Sequence, residues 1–292
     1  MKYRIKHITT YKYPHEVSQC YNLGYLIPRT SQRQTMQRHT VKVDPYPASS
    51  NKRKDYFGNT VFHFEVQTPH KQLTITAESD VITEPQSGVS GLDLGMTYGE
   101  AREMLERSSD PDVLLAREYL LESPMIRQIP ELQDYASPSF EKSRPLYSIV
   151  SELTTRIFED FTYDPESTTV STPIADVIKN RRGVCQDFAH LQVGCLRAMG
   201  IPAKYVSGYL ETLPPPGQQK LVGSDATHAW ISYYSPGESW YEFDPTNNKP
   251  SADQHIIAAW GRDYADVTPV RGVIFGGGDA PRLTVSVDVA RV

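Results

Sequence analysis

The sequence predicts an α+β protein, in which a cysteine-bearing helix packs on an antiparallel sheet and a small β-sandwich precedes both. Three patterns support this class. Apolar and polar residues alternate with period two in the first 85 residues, helical spacing begins after Arg144, and strand patterns return beyond Gly200. We therefore divide the chain into a β-sandwich domain at 1–85, a helical connector at 86–144 and a second domain at 145–292.

The first domain is predicted from short alternating runs that are separated by turns. Residues 60–67 and 73–78 alternate with the period of a strand. The segment Asp55–Asn59 precedes the first of these runs and has residue types that are typical of turns. Several short strands joined in this way are typical of a β-sandwich.

The connector has a different composition. Residues 86–144 are rich in proline, serine and glutamate, and they contain one helical fragment at Pro111–Leu121. This pattern predicts a helical segment between two domains.

The second domain begins with helices and continues with strands. Apolar residues fall on one helical face at Leu146, Ile149, Val150, Leu153, Ile157 and Phe161. The run Cys185–Met199 is strongly apolar, and Gly200 follows it as a normal stop signal, so we predict a mostly buried helix. Strand patterns follow at Ala203–Leu210, Thr227–Tyr234, Trp240–Phe243 and Leu283–Val289.

Composition and charge narrow the function classes. The formal net charge is −5 and no basic run occurs, which argues against a nucleic-acid partner. No apolar stretch approaches the ~20 residues of a membrane span, and no apolar block follows the charged start, as a signal peptide would require. We therefore expect a cytoplasmic protein with no membrane partner; the oligomeric state is not predicted.

The cysteine count argues against a disulfide framework. There are three cysteines, Cys20, Cys185 and Cys195. Such a small odd set in a chain of this length leaves thiols free for chemistry. Cys195 is predicted to be an inert side chain inside the buried helix.

Cys185 is the candidate nucleophile because it follows Gly183 at the start of the predicted helix. The positive end of the helix dipole and its unpaired N–H groups favour a thiolate, which is the reactive form of cysteine. The same N–H groups could stabilise an oxyanion.

His228 and Asp244 are predicted to be neighbours across a hairpin. Their index sum is 472, which centres the hairpin on Pro236 inside the turn signal Ser235–Glu238. Direct pairing would place their Cβ atoms ~5 Å apart on one face. The carboxylate would then accept the Nδ1–H of the imidazole, and the other ring nitrogen would face a thiol.

Four blocks that occur in order, Gly183–His190, Arg197–Leu210, Thr227–Trp230 and Trp240–Asn248, resemble the bacterial transglutaminase-like superfamily. The resemblance implies Cys185 as nucleophile, His228 as base and Asp244 as orienting acid. It also implies a papain-like fold, with a cysteine-bearing helix packed on an antiparallel sheet. The N-terminal segment resembles the β-rich domain that precedes this core in one bacterial branch.

Other residues are weaker candidates. Gln186 flanks the nucleophile as a candidate substrate-binding residue, and Asp187 is predicted to cap the helix. Tyr163 is a candidate second oxyanion donor. Trp230 is a candidate groove wall, and core packing is an equally good interpretation of it.

A late segment carries a further expectation. In this bacterial branch the resemblance extends to Gly261–Gly272, so Arg262, Asp263 and Tyr264 are candidates for lining the site. The alternative interpretation is a loop that an Arg–Asp pair holds in place.

A metal site is not expected. Cys185, His190 and His228 are the ligands that could be imagined, but His190 lies five residues beyond Cys185, off its helical face, and no CxxC pair exists. We expect no cofactor.

The residues leave three functions open. A cysteine peptidase or amidase that acts on a peptide or protein substrate through a thioester is favoured over a transglutaminase, which would use an amine as acceptor. No Asp-x-Asp-x-Asp-Gly calcium loop is present. A non-catalytic binding module with a silent site is the third alternative.

Overall fold

The structure, a computed structural model, describes residues 1–85, 95–212 and 226–292. The strands in chain order are β1 (Lys2–Gly24), β2 (Gln34–Asp44), β3 (Ser49–Lys54), β4 (Thr60–Val66), β5 (His70–Thr83), β6 (Thr162–Tyr163), β7 (Arg182–Gly183), β8 (Ala203–Leu210), β9 (Ala226–Ser235), β10 (Ser239–Asp244), β11 (Lys249–Pro250), β12 (His255–Gly261), β13 (Val270–Gly276) and β14 (Arg282–Arg291). The α-helices are α1 (Tyr98–Arg107), α2 (Pro111–Arg117), α3 (Pro130–Ala136), α4 (Leu146–Asp160), α5 (Ile174–Asn180) and α6 (Cys185–Ala198). Among the described helices, none has the length and apolar content that a membrane span requires.

The long strand β1 organises the N-terminal sheet. Its first half pairs with β5 on one side and β14 on the other, and its second half pairs with β4 and β13. β2 extends the first half through β5, and β3 extends the second through β4. Apolar side chains of both halves, including Phe64 and Ile75, meet in one buried cluster. The predicted N-terminal β-rich unit is therefore confirmed as two four-stranded halves that share β1.

The C-terminal strands correct the predicted domain boundary. The run Leu283–Val289 is a strand, as predicted, but it lies in β14 and pairs with β1 rather than with the second domain. β13 also pairs with β1. Assigning all of 145–292 to one domain is therefore wrong, because two sheet positions of the first domain are filled by the end of the chain. Pairing between strands this far apart has no local sequence signal.

The helical connector also needs correction. The predicted fragment Pro111–Leu121 is observed as α2 followed by a 3₁₀ turn at Glu118–Leu120. Buried residues of this segment, such as Ala101 and Leu132, share one core with Leu191 of α6. The segment from α1 to α3 therefore belongs to the core of the second domain; residues 86–94 of the predicted connector lie outside the described residues.

The second sheet carries the predicted strands in the order β11-β10-β9-β8-β12, and all of its pairings are antiparallel. The three predicted strands correspond to β8, β9 and β10, and the predicted helix corresponds to α6. α6 packs on β8 and β9 and is buried from Asp187 onwards to Arg197. The α+β fold with a cysteine-bearing helix on an antiparallel sheet is therefore confirmed, while β12 has no counterpart in the sequence prediction.

The two sheets are joined by buried polar contacts. The Gln34 side chain accepts the backbone N–H of Ile257 and donates to its carbonyl, both at 2.7 Å. Arg33 forms an ion pair with Glu242 of β10 at 2.8 Å. The N-terminal domain thus supports β10 and β12, the strands that end beside the candidate site.

Candidate active site

Cys185 is the first residue of α6, and its side chain is partly exposed. The helix begins with the bond from the Phe188 N–H to the Val184 carbonyl, so the N–H groups of Cys185 and Gln186 have no acceptor within the helix. Free N–H groups and the helix dipole both favour negative charge at this position, whether on the sulfur or on an oxyanion.

Asp187 caps this helix start, as predicted. Its carboxylate accepts the Val184 N–H at 2.8 Å and the Thr168 hydroxyl at 2.6 Å. Gly183 makes room for the carboxylate, because a Cβ built there would lie 2.8 Å from the Asp187 side chain. The turn before Cys185 is therefore fixed by a glycine and a carboxylate that need each other.

His228 and Asp244 are in contact, although their pairing differs from the prediction. The His228 Nε2–H donates to Asp244 Oδ2 at 2.8 Å. The predicted donor was Nδ1, so the ring nitrogens have the opposite roles. Cys185 is the other hydrogen-bond partner of the ring, which places the three predicted residues together.

The hairpin register also differs. β9 and β10 pair with an index sum of 474, as in Ser235 with Ser239 and Ile231 with Phe243, so direct pairing of His228 with Asp244 is wrong. The turn contains Gly237 at φ 74°, which moves the centre of the hairpin one residue beyond Pro236. Because the sum changes by two, both residues stay on the same face as diagonal neighbours, within reach of long side chains.

The neighbours of His228 favour its charged form. Burial opposes a charged ring, but the hydrogen bonds to Asp244 and Cys185 outweigh it and raise the pKa of His228 to about 10. His228 is therefore an imidazolium at neutral pH. A cation beside the Cys185 sulfur stabilises negative charge on it.

Asp244 accepts hydrogen bonds on both of its oxygens and is fully buried. Oδ1 accepts the backbone N–H groups of Thr246 and Asn247, at 3.0 and 3.2 Å. Oδ2 accepts the Asn247 side-chain amide at 2.6 Å and the His255 Nε2–H at 3.0 Å, in addition to His228. Although burial alone would raise it, the bonds from His228 and His255 hold the pKa of Asp244 well below its usual range.

His255 is a site residue that sequence reasoning missed. Its side chain is fully buried, and its Nδ1 accepts the Ala252 N–H at 3.1 Å, which puts the ring proton on Nε2 facing Asp244. Burial lowers the pKa of His255, so this ring is neutral at pH 7. The signal available in the sequence was a histidine at the start of the apolar run of β12, eleven residues after Asp244.

The prediction that Trp230 lines the groove is corrected. Its side chain is completely buried and donates its Nε1–H to Glu242 at 2.7 Å. Its indole stacks on His228 with ring centres 6.0 Å apart and meets His255 edge-on at 5.2 Å. Trp230 therefore supports the two imidazoles from below and has no surface for a substrate.

Tyr163 and Gln186 lie near Cys185. Tyr163 pairs with Gly183 across β6 and β7, and 52% of its surface is exposed. Burial of part of the ring and the proximity of Cys185 raise the pKa of Tyr163. Gln186 donates its side-chain amide to the Val170 carbonyl at 3.1 Å, which ties the preceding loop to α6.

The late loop is held internally. Arg262 forms a two-point contact with Asp266 at 2.9 and 3.0 Å, as the alternative interpretation proposed. Asp263 is buried and accepts the Met125 N–H at 2.7 Å. Tyr264 donates its backbone N–H to His190 Nε2 at 3.1 Å. These contacts give Arg262 and Asp263 structural partners, and they commit His190 to the loop rather than to a metal.

A different trio has metal-ligand chemistry. Donor atoms of His228, Asp244 and His255 lie within 4.8 Å of one another. Two histidines and a carboxylate could hold a transition metal. Their contacts, at 2.8 and 3.0 Å, are however those of hydrogen bonds to one carboxylate oxygen, and they account for the arrangement without an ion.

Family comparisons agree with this architecture. The model of the bacterial transglutaminase-like N-terminal region matches residues 3–82, and the model of the transglutaminase-like superfamily matches residues 133–245. The chain belongs to the transglutaminase-like superfamily. The second match spans Cys185, His228 and Asp244, and it begins in the segment that the fold assigns to the same core.

Individual relatives extend over most of the chain. An uncharacterized protein of Mycobacterium tuberculosis is 41% identical over 295 residues, covering 99% of this chain and 92% of that protein. A Cytophaga hutchinsonii crystal structure, described as that of "a Putative Cysteine Protease", has a TM-score of 0.74 and 25% identity and covers 99% of this chain and 90% of that chain. A protein-glutamine gamma-glutamyltransferase of Pseudomonas aeruginosa is 32% identical over 114 residues, which are 36% of this chain and 17% of that protein.

Proposed function

We propose that this chain is a cysteine-nucleophile enzyme that hydrolyses amide bonds of a peptide or protein substrate through a thioester intermediate. The observation that carries the proposal is one connected arrangement: Cys185 bonds to His228, and His228 bonds to the buried Asp244 at 2.8 Å. A nucleophile, a base within hydrogen-bond reach and a group that orients the base are the parts that covalent acyl transfer needs.

In the acylation step, the Cys185 thiolate attacks the carbonyl carbon, and the carbonyl electron pair moves to oxygen. The N–H groups at the start of α6 donate to this oxyanion. The intermediate then collapses: the C–N bond breaks, His228 donates its proton to the departing amine, and a thioester remains on Cys185.

In the second step, neutral His228 takes a proton from water as the water oxygen attacks the thioester. Collapse breaks the C–S bond, releases the carboxylic acid and restores the thiolate beside the imidazolium. Asp244 accepts the His228 Nε2–H throughout, which keeps Nδ1 directed at the sulfur.

Two observations favour water as the acceptor. Cys185 is partly exposed, so bulk water reaches the thioester. The likeness to the Cytophaga hutchinsonii chain extends over 99% of this chain, whereas the likeness to the glutamyltransferase covers 36% of it. Transfer of a glutamine acyl group to an amine is the second candidate, supported by that partial likeness, because the same triad would serve it.

The first experiment measures the thiols. Iodoacetamide at neutral pH should alkylate Cys185 at least tenfold faster than Cys20 and Cys195, because a cation and a helix start face Cys185. The other two thiols are fully buried, and burial raises the pKa of Cys195 to about 12 and raises that of Cys20. Uniformly slow labelling would support a non-catalytic binding module instead.

The second experiment separates the two enzymes. Casein and a labelled primary amine are incubated with the protein, and peptide cleavage is compared with label incorporation. Cleavage without incorporation is expected, and the reverse result would favour a transglutaminase. Cys185→Ala should abolish either activity, whereas the matched control Cys195→Ala should retain it.

A further inference from the structure

A second cleft lies away from the triad. It has a volume of about 740 Å³ and lies between the N-terminal domain, the α1–α2 segment and one end of the catalytic sheet. Neither Cys185 nor His228 lines it. Lys204 lines it from β8, four residues before Gly208, which pairs with His228. Four strand residues separate the two positions by ~13 Å.

Lys204 is the unusual group of this cleft. Only 7% of its surface is exposed, and its ammonium lies 3.4, 4.6 and 5.1 Å from the ring centres of Trp240, Trp260 and Tyr119. Within the described residues it has no hydrogen-bond acceptor and no carboxylate within 4.0 Å. Aromatic faces stabilise a cation, but they do not replace the anion that a buried ammonium usually has.

The charges around Lys204 leave its charge unsatisfied. Burial lowers the pKa of Lys204 to about 7, Arg29 lowers it further, and Glu242 opposes them. Glu242 is already committed to Arg33 and Trp230, at 2.8 and 2.7 Å. A ligand anion would therefore be the closest negative charge to this amine.

The rim of the cleft has the opposite sign. It carries four carboxylates, Asp110, Asp112, Glu118 and Glu238. Glu118 accepts the Tyr56 hydroxyl and Glu238 accepts the Ser235 hydroxyl, so these side chains are held in place as anions. A simple anion would be repelled at the entrance, whereas a ligand with a cationic part is attracted there.

We propose that this cleft binds the C-terminus of a peptide, with the terminal carboxylate on Lys204, an aromatic last side chain against Trp240 and Tyr119, and a basic preceding residue at the acidic rim. A peptide spans the distance between floor and rim, and it supplies both charges in the required order. Capture of a terminal carboxylate is a recurring mode of peptide recognition. The proposal does not depend on the activity of Cys185.

The test uses the Cys185→Ala protein, so that no hydrolysis occurs, and the dipeptide Arg-Phe as probe. Binding is followed by calorimetry and by the fluorescence of the tryptophans, two of which line the cleft. Arg-Phe should bind saturably, and Arg-Phe amide and Glu-Phe should each bind at least tenfold more weakly. Equal affinity of the free acid and the amide, or no saturable binding in the millimolar range, would overturn the proposal.

Variants of Lys204 give the second arm. Lys204→Met should lose at least tenfold in affinity while its melting temperature and, in the Cys185 background, its alkylation rate stay unchanged. For the parent protein, affinity should fall as pH rises from 6 to 9, because the ammonium deprotonates near 7; Lys204→Arg should abolish this dependence. Undiminished binding by Lys204→Met, or the same pH dependence in Lys204→Arg, would contradict the assigned role.

Discussion

His255 donates its Nε2–H to Oδ2 of Asp244, the same oxygen that accepts the hydrogen bond from His228. The tautomer of His255 is fixed by the Ala252 N–H on its other nitrogen. The carboxylate is therefore held between two imidazoles, one that faces Cys185 and one that is sealed in the core. His255 is a positioning residue for the proposed catalytic site.

Replacing His255 should lower activity more than stability explains. His255→Phe removes one donor from Asp244, and the resulting freedom of the carboxylate should reduce kcat/KM by about 10²-fold. His255→Gln places an amide donor near the lost Nε2–H and should restore most of the rate. The measurements are turnover, alkylation of Cys185 and melting temperature. Equal rates for both variants after correction for folded fraction would contradict a positioning role.

The pH dependence should reflect the raised pKa of His228. Protonated His228 serves the leaving amine, so activity should fall as pH rises through about 10, far above the ordinary value of 6.5. The stability contribution has the same sign: it is fully present below pH 6.5 and is lost as pH approaches and passes about 10. Kinetic profiles and melting curves from pH 6 to 11 measure both effects.

Asp244→Asn supplies the control for this pH prediction. Removing the negative charge should move the alkaline limb of the alkylation profile towards lower pH, because the carboxylate no longer favours the charged ring. An unchanged limb, or a limb near 6.5 in the parent protein, would show that Asp244 does not set the protonation state of His228.

The ion pair between Arg33 and Glu242 should matter for stability. Both side chains are 11% exposed, and Arg33→Met leaves the Glu242 charge in the interior without its cation. The expected loss is about 3–5 kcal/mol in the free energy of unfolding. Arg33→Met with Glu242→Gln should recover part of it, since the amide still accepts the Trp230 N–H without a charge. Urea denaturation measures all three proteins; a double variant no more stable than Arg33→Met would refute the charge argument.

The domain correction predicts that the first 85 residues do not fold alone. A fragment 1–85 lacks β13 and β14 and leaves one side of β1 unpaired. It should be unfolded or aggregated by circular dichroism and hydrogen exchange, and coexpression with residues 268–292 should restore the sheet. The matched control peptide carries Val287→Asp and Val289→Asp, at positions that are 1% and 0% exposed. A stable isolated fragment would contradict the shared sheet.

The chemistry of the site was predictable where residue type and local spacing carried it. A cysteine before a long apolar run marks a helix start, and a histidine and an aspartate on either side of a turn mark a hairpin. The contact of His228 with Asp244 therefore followed from the sequence. The exact register did not, because it depends on the conformation that Gly237 adopts inside the turn.

Contacts between distant segments were not predictable in this way. His255 reaches Asp244 only because β12 joins the sheet beside β8, and no spacing rule indicates that pairing. Trp230 was ambiguous for the opposite reason: an aromatic residue next to a reactive histidine fits a groove wall and a core equally well. Its burial is decided by Glu242, which accepts its N–H below the site.

The pairing of Tyr3 with Arg291 has a consequence for biosynthesis. At ~5–20 residues per second, the N-terminal strand leaves the ribosome roughly 15–60 s before its partner does. During that interval one side of the strand is an open template for pairing with another nascent chain. Cells that make this protein have to shield that edge, with a chaperone or through the ribosome surface, until the last strand emerges.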